Sequence, residues 1–476
     1  MHNHTNIELP KQLSKTKNVE PSSFYQNLKF TPNNGSSITL GNSTQTSIIE
    51  LTPQSIINFS KLKLQFTRSA LSAAAGASNY YFLNNSFCSF INRLQIFDSK
   101  NLILLDLNNC EIVSKALQFN KEAADRTETN CFNFWGYRGS YDTVIATSHA
   151  SPYYYPLILV SGSTYKAVPV NCIDEPSTIE VSYTGGAVGA NGNLLARNYN
   201  FNLSDLAYDS ILSLDRNIYS ANSIFIKITW NPMNKITGGI AADFGIVAPA
   251  STTNLSGVSF TLSNIQLNMY SEGNPVLANI IKSNPLDECI IYPEPQLNVL
   301  SFSGTTQQSS MRIISNALPG EARLYKMYYW LAVADSGLYI NNTSNLVSTY
   351  PLVCGAIATS WRLYLNNNLT LDINISASQE DLELVQNQYR TNSFKSNSCY
   401  YENGGVSYVF CSEKANSSEY SQMVLKGVDF NQNGEIILQN YFTINGSQTL
   451  THYAMFVVLR TLYIQNGVFS WYPSVR

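Results

Sequence analysis

The sequence predicts an all-β chain built as two tandem β-sandwiches, and three observations carry that expectation. The 476 residues include 30 Tyr and 22 Phe, while charged residues make up only 13%. With many Ile, Val and Thr, this composition favours strands over helices. Short β-branched or aromatic runs recur along the chain, each bounded by Gly, Pro, Asn or Ser, which suits a sandwich or barrel and not βαβ units. One phrase also occurs twice, as RLQIFDSKNLILLDLN at 93–108 and RLYLNNNLTLDI at 362–373. A chain of this length exceeds one ordinary core, so two large domains are expected.

Taken in order, residues 1–30 read as a flexible arm. Lys11, Lys15, Lys17 and Lys29 face only Glu8 and Glu20 there, and a polar terminus of this kind is ordinarily mobile. The opening MHNHTNIELPKQ has no apolar core of a signal peptide. No run approaches the roughly 18 apolar residues of a membrane span. The expectation is a soluble chain made in the cytosol.

The clearest strands are SIIELTP (47–53), SKLKLQFTRS (60–69), SIFIKITW (223–230), SFTLSNIQLNMY (259–270) and MFVVLRTLYI (455–464). In the second copy of the repeated phrase, Leu369, Leu371, Ile373 and Ile375 alternate with Thr370, Asp372 and Asn374. That is period two, with one face buried and one wet. A short helix is expected after each copy. Ser378-x-x-Asp381 can cap the second, ahead of Leu382, Val385 and Tyr389. Asn109 can cap the first, with Ile112, Val113, Ala116 and Leu117 as its apolar side. The shared unit is therefore strand, turn, strand, short helix, and Arg93, Leu94, Arg362 and Leu363 mark its two corners.

The stretch EGNPVLANIIKSNPLDECIIYPEPQ (272–296) carries four prolines and reads as a linker. It separates a first sandwich at 31–271 from a second at 297–476, and the repeated unit holds the same place in each. The first half is longer. NFWGYRGSYDTVIATSHASPYYYPL (133–157) and YTGGAVGANGNLLARN (183–198) are its insertions, and loops that long inside a compact domain are usually functional.

The search for chemistry yields little. A net charge of −3 gives no global electrostatic case for nucleic acid. Of four His, His2 and His4 lie in the arm, and His149 and His452 stand alone as structural histidines. The eight Cys are scattered without a CxxC and read as reduced, mostly buried thiols. There is no HExxH, GxSxG or GxxxxGK[ST]. GGAVGANG (185–192) lacks the Lys-Ser/Thr of a phosphate cradle and reads as a hairpin loop. In DFNQNGEIILQN (429–440), Asp429, Asn431 and Asn433 are a weak calcium candidate. Position twelve is Asn440, not the bidentate Glu, and Asn-Gly is a preferred hairpin turn, so no metal, cofactor or catalytic set is assigned. The acidic clusters Asp287-Glu288 and Glu380-Asp381 with Glu383 suit solvated positions and a helix start.

FINRLQIFDSKNLILLDLNNCEIVSKAL (90–117), FNLSDLAYDSILSLDRNIYSANSIFIKITWNP (201–232) and HYAMFVVLRTLYIQNGVFSWY (452–472) together resemble the double jelly-roll major capsid proteins of adenovirus-like, polinton-like and virophage-like DNA viruses. The resemblance covers the chain from about residue 31 and rests on architecture and loose motifs. It implies two eight-stranded jelly rolls, with tower-like loops in the first. It further implies a non-enzymatic capsid protein of the virion, assembling as a homotrimer of six-fold outline that tiles an icosahedral shell. Implied partners are neighbouring capsomers and penton and minor capsid proteins. The N-terminal arm would reach toward an inner membrane or the genome, without specific nucleic-acid recognition. The alternative is a carbohydrate-binding or adhesion protein, a fibre or minor capsid component on tandem sandwiches.

Overall fold

The computed structural model describes residues 24–41, 43–69, 80–84, 87–110, 113–114, 117, 157–161, 164–167, 179–183, 196–232, 236–240, 260–283, 288–302, 308–314, 322–333, 339–341, 346–348, 356–374, 408–411, 428–429, 435–444 and 450–471. Sixteen strands form the frame. In the first half they are β1 (Tyr25–Phe30), β2 (Gln45–Leu51), β3 (Leu62–Arg68), β4 (Ile91–Asp98), β5 (Ile103–Asn108), β6 (Arg197–Asn202), β7 (Ile224–Trp230) and β8 (Phe260–Glu272). In the second they are β9 (Glu288–Phe302), β10 (Gln308–Ile314), β11 (Ala322–Val333), β12 (Ala356–Leu365), β13 (Asn368–Asn374), β14 (Tyr408–Cys411), β15 (Glu435–Ile444) and β16 (Leu450–Gln465).

The first half pairs in the orders β1-β8-β3-β6 and β2-β7-β4-β5, and the second in the orders β9-β16-β11-β14 and β10-β15-β12-β13. The second half repeats the first with eight added to every label. An eight-stranded barrel-like sandwich whose first strand pairs with its last, in two four-stranded sheets, is a jelly roll. The fold is all-β and twofold repeated, as the sequence predicts.

Alternation builds each sheet. Along β3, Leu62, Leu64 and Phe66 point inward between the half-buried Lys63, Gln65 and Thr67. On the outer side Thr67 donates to Asn198 at 2.7 Å and Gln266 donates to Gln65 at 2.8 Å, so the wet face also holds the sheet together. Inside, the Phe66 ring stacks on Tyr199 at 4.8 Å and meets Trp230 edge-on at 5.3 Å. Such aromatic pairs add about 0.5–1.5 kcal/mol each beyond the area they bury. The Trp230 indole N–H is satisfied by the Ser47 hydroxyl at 2.9 Å, as a buried donor requires.

The repeated phrase is the fourth-to-fifth strand hairpin of each half, β4–β5 and β12–β13. The first turn spans four residues, Ser99 to Leu102. Asp98 accepts backbone N–H groups from Lys100 and Leu102, and Asn101 sits at φ 63. The second turn is Asn366-Asn367, both left-handed at φ 51 and 64, the two-residue form that matches strand twist. Beyond the first hairpin, residues 110, 113, 114 and 117 are helical. Cys110, Val113 and Leu117 are buried there, and the Asn109 carbonyl accepts the Val113 N–H. Ile112 and Ala116, and the helix expected at 378–389, lie outside the described residues.

Two boundaries differ from expectation. Residues 25–30, placed in the arm, form β1, zipped to β8 from Tyr25–Glu272 to Phe30–Leu267. Leu28 and Phe30 pack on the core, so the alternation of a short edge strand outweighs the polar character of the segment. Within the proposed linker 272–296 lie a helix, α1 (Pro275–Ser283), and the start of β9. Asn274 caps α1 by accepting the Val276 N–H at 2.9 Å, and Pro275 occupies the first turn, where no N–H is needed. Pro293 and Pro295 fit β9 because it is an edge strand. Two residues apart, they place their missing N–H groups on the same, outer side, leaving the bonds to β16 intact. Of the two insertions only Leu157, Tyr183 and 196–198 are described: Leu157 begins a strand that pairs Leu157–Ser161 with Thr164–Ala167, Tyr183 ends one that pairs Ile179–Tyr183 with Tyr80–Asn84, and Arg197 and Asn198 belong to β6. The GGAVGANG loop, His149 and Glu380–Glu383 lie outside the described residues.

Candidate functional site

The two jelly rolls meet along β5 of the first and β9 of the second. Tyr292 reaches across, its hydroxyl donating to the Leu104 carbonyl at 2.7 Å. Two residues on, Glu294 accepts the backbone N–H of Asp106. Glu294 Oε2 also takes the Arg460 guanidinium at 2.8 Å, with both side chains about 95% or more buried. The Arg460 guanidinium lies 4.1 Å from the Trp471 ring centroid, a stacked cation geometry that suits Arg better than Lys. Each charge thus has a counter-charge and further contacts, without which burial would cost several kcal/mol.

Electrostatics follow from that burial. Desolvation pushes the Glu294 carboxyl above its ordinary value, and Arg460 holds the rise in check. Burial likewise lifts the Tyr292 phenol well above its usual value, which keeps it a neutral donor to Leu104. Around this buried junction, Arg216 pairs with Glu288. The Ala221 N–H donates to the Gly467 carbonyl at 2.8 Å. Gly467 sits at φ +74 with the Tyr219 ring 2.5 Å from where a Cβ would stand, so this Asn-Gly turn docks on the first half only with glycine there.

Beside the junction opens a cleft of about 710 Å³, bounded by Asn92, Arg93 and Asn108 on one side and Leu297, Asn298 and Arg312 on the other. Arg93 is committed to Asp106, through bonds of 2.8 and 2.5 Å that raise its pKa further. The cleft lining has no carboxylate pair and no nucleophile beside a base. Among the described residues, no three His, Cys, Asp or Glu side chains gather as metal ligands. Asp429 stands opposite Arg323 in a two-residue strand, while Asn431 and Asn433 lie outside the described residues.

The corner residues occupy the hairpins, with their correspondence shifted. Both hairpins carry a bulge on the returning strand, at Leu104 in β5 and Thr370 in β13. Matching those bulges equates Leu105-Asp106-Leu107-Asn108 with Leu371-Asp372-Ile373-Asn374. Gln95, opposite Asp106, then corresponds to Arg362, opposite Asp372, and Ile96 to Leu363. Arg93 and Leu94 instead match Ser360 and Trp361. The aspartate keeps its place, and the arginine faces it from positions two residues apart. The sequence reading missed Tyr292, Glu294, Arg460 and Trp471 altogether. The signal was present in ECIIYPEPQ, whose prolines on alternate residues mark an edge strand.

No protein-family model and no curated protein sequence matches the chain. Solved structures do. PBCV-1 VP54 fitted into a cryo-EM reconstruction of the virophage Sputnik matches with a TM-score of 0.52 at 7% identity, over 95% of this chain and 97% of that one. The cryo-EM structure of the Sputnik virophage matches with 0.51 at 13% identity, over 100% of this chain and 93% of that one. The mavirus major capsid protein gives 0.48 at 11% identity, over 100% and 97%. With each half strung in jelly-roll order and 95% or more of the chain covered in its likeness to the first two structures, this is a double jelly-roll fold.

Proposed function

We propose that the chain is a viral major capsid protein, a non-enzymatic building block of the virion. Three copies form a capsomer of six-fold outline, and capsomers tile an icosahedral shell. The observation that carries this reading is the duplication. Two jelly rolls of one strand order are locked together by a buried junction. A rigid pair of like domains lets a closed three-fold ring imitate six equal subunits. The end-to-end likeness to the Sputnik structure supports it. Synthesis in a host cytosol and contacts with penton and minor capsid proteins belong to the same reading.

Light scattering on the purified chain tests this, with negative-stain images alongside. The expected particle has about three times the 52.9 kDa chain mass and a hexagonal outline. A stable monomer that binds glycans would return the adhesion reading instead.

A further inference from the structure

We propose that the cleft beside the junction binds a short oligosaccharide that carries a carboxylate. The cleft lies within one chain, so its ligand does not depend on how many copies assemble. Its volume, about 710 Å³, falls in the usual range for small-ligand sites. The floor is the wet face of the sheet β2-β7-β4-β5, where Thr229, Arg93 and Asn108 stand in one row across three strands. A bulge adds to that row. Thr229 pairs with Arg93 and Trp230 with Ile91, so Asn92 is the extra residue of β4. Bulges re-aim side chains, and this one lets Asn92 and Arg93 line the cleft together although they are neighbours in a strand.

The facing wall comes from β9 and β10. Asn298 donates to the Arg312 carbonyl at 3.1 Å and ties the two strands together. Val299 and Leu300 stay 44% and 39% exposed, an aliphatic surface suited to the C–H face of a sugar ring. The amides of Asn92 and Asn108 and the hydroxyl of Thr229 each offer both a donor and an acceptor, as sugar hydroxyls do. Among the described residues these three side chains make no hydrogen bond, which leaves them to a ligand. Charge sets the class of sugar. Among the described residues the lining holds two guanidinium groups and no carboxylate. Arg93 is committed to Asp106. Arg312 is 66% exposed and reaches Glu435 only at 3.8 Å. Its fork of donors can take a ligand carboxylate in two parallel bonds. A neutral hydrogen-bonding floor, an aliphatic wall and one guanidinium with donors to share together fit an acidic sugar.

The test is saturation-transfer NMR with titration calorimetry on the full-length chain, using sialyllactose, trigalacturonate and the neutral maltotriose as probes. Expected is binding of at least one acidic probe and not of maltotriose, weakening as salt is raised. Arg312→Gln should weaken that binding about tenfold, and Asn92→Ala about threefold. Glu435→Gln removes the carboxylate that competes for Arg312 and should tighten binding about twofold, a direction that a purely structural arginine would not give. Absence of binding by both acidic probes overturns the proposal. So does maltotriose bound equally well, or an affinity unchanged in both Arg312→Gln and Asn92→Ala. Particle mass, measured alongside, tests the trimer reading separately, and neither result decides the other.

Discussion

The hairpins β4–β5 and β12–β13 are the same unit in two settings. Each has a bulge on its returning strand and an aspartate two residues past it. They differ in how the turn is closed and in what lies beyond. Asp98 closes the first by accepting two N–H groups, whereas two left-handed asparagines close the second. Outside β5 stand Tyr292 and Glu294, and outside β13 no described strand pairs. Local sequence thus decides the hairpin, while its neighbour is decided by connectivity. The segment through α1 brings β9 back to β5, and nothing comparable follows β13 among the described residues.

Removing the charge that neutralises Glu294 should break the comparison most. Arg460→Ala leaves Glu294 buried and unpaired, and should lower stability by about 3–5 kcal/mol in chemical denaturation. The pH dependence has a definite sign. Because burial raises the Glu294 carboxyl, the folded chain binds a proton where the unfolded chain has released it. Stability from this group is therefore full below the ordinary carboxylate range and lost as pH rises through the raised value. Arg460→Ala widens that window, so its deficit should shrink toward acid pH in denaturation midpoints measured across pH.

A pair of aliphatic truncations separates core from edge. Ile96 is fully buried in β4 while Leu369 is half exposed. Ile96→Ala should cost about 2–5 kcal/mol, and Leu369→Ala less than about 0.5 kcal/mol in the dissociated chain. Both are read from urea midpoints. Tyr292→Phe deletes only the hydroxyl bonded to Leu104 and should cost about 1 kcal/mol by the same measurement. The smallest effect tests the turns. Asn367→Gly supplies a residue suited to φ 64 and should raise stability by about 0.5 kcal/mol in thermal unfolding.

Much of the frame was legible because strands announce themselves with period two. The runs at 60–69, 223–230 and 259–270 contain β3, β7 and most of β8. The repeated unit read as strand, turn, strand, and Asn366 and Asn367 are the turn of its second copy. The arginine correspondence was off by two, since matching letters aligned Arg93 with Arg362 while the register aligns bulges. The junction was not legible. Glu294 and Arg460 lie 166 positions apart, and no pattern within either strand says that they touch.

By itself the sequence determined the fold class, the duplication and the hairpin turns, because alternation, turn chemistry and repetition act over short spans. Tertiary structure alone decided that β9 would be the strand that covers β5. It also decided which charges could be buried together. Those outcomes depend on contacts between distant segments, where desolvation is offset only by a partner that the fold supplies.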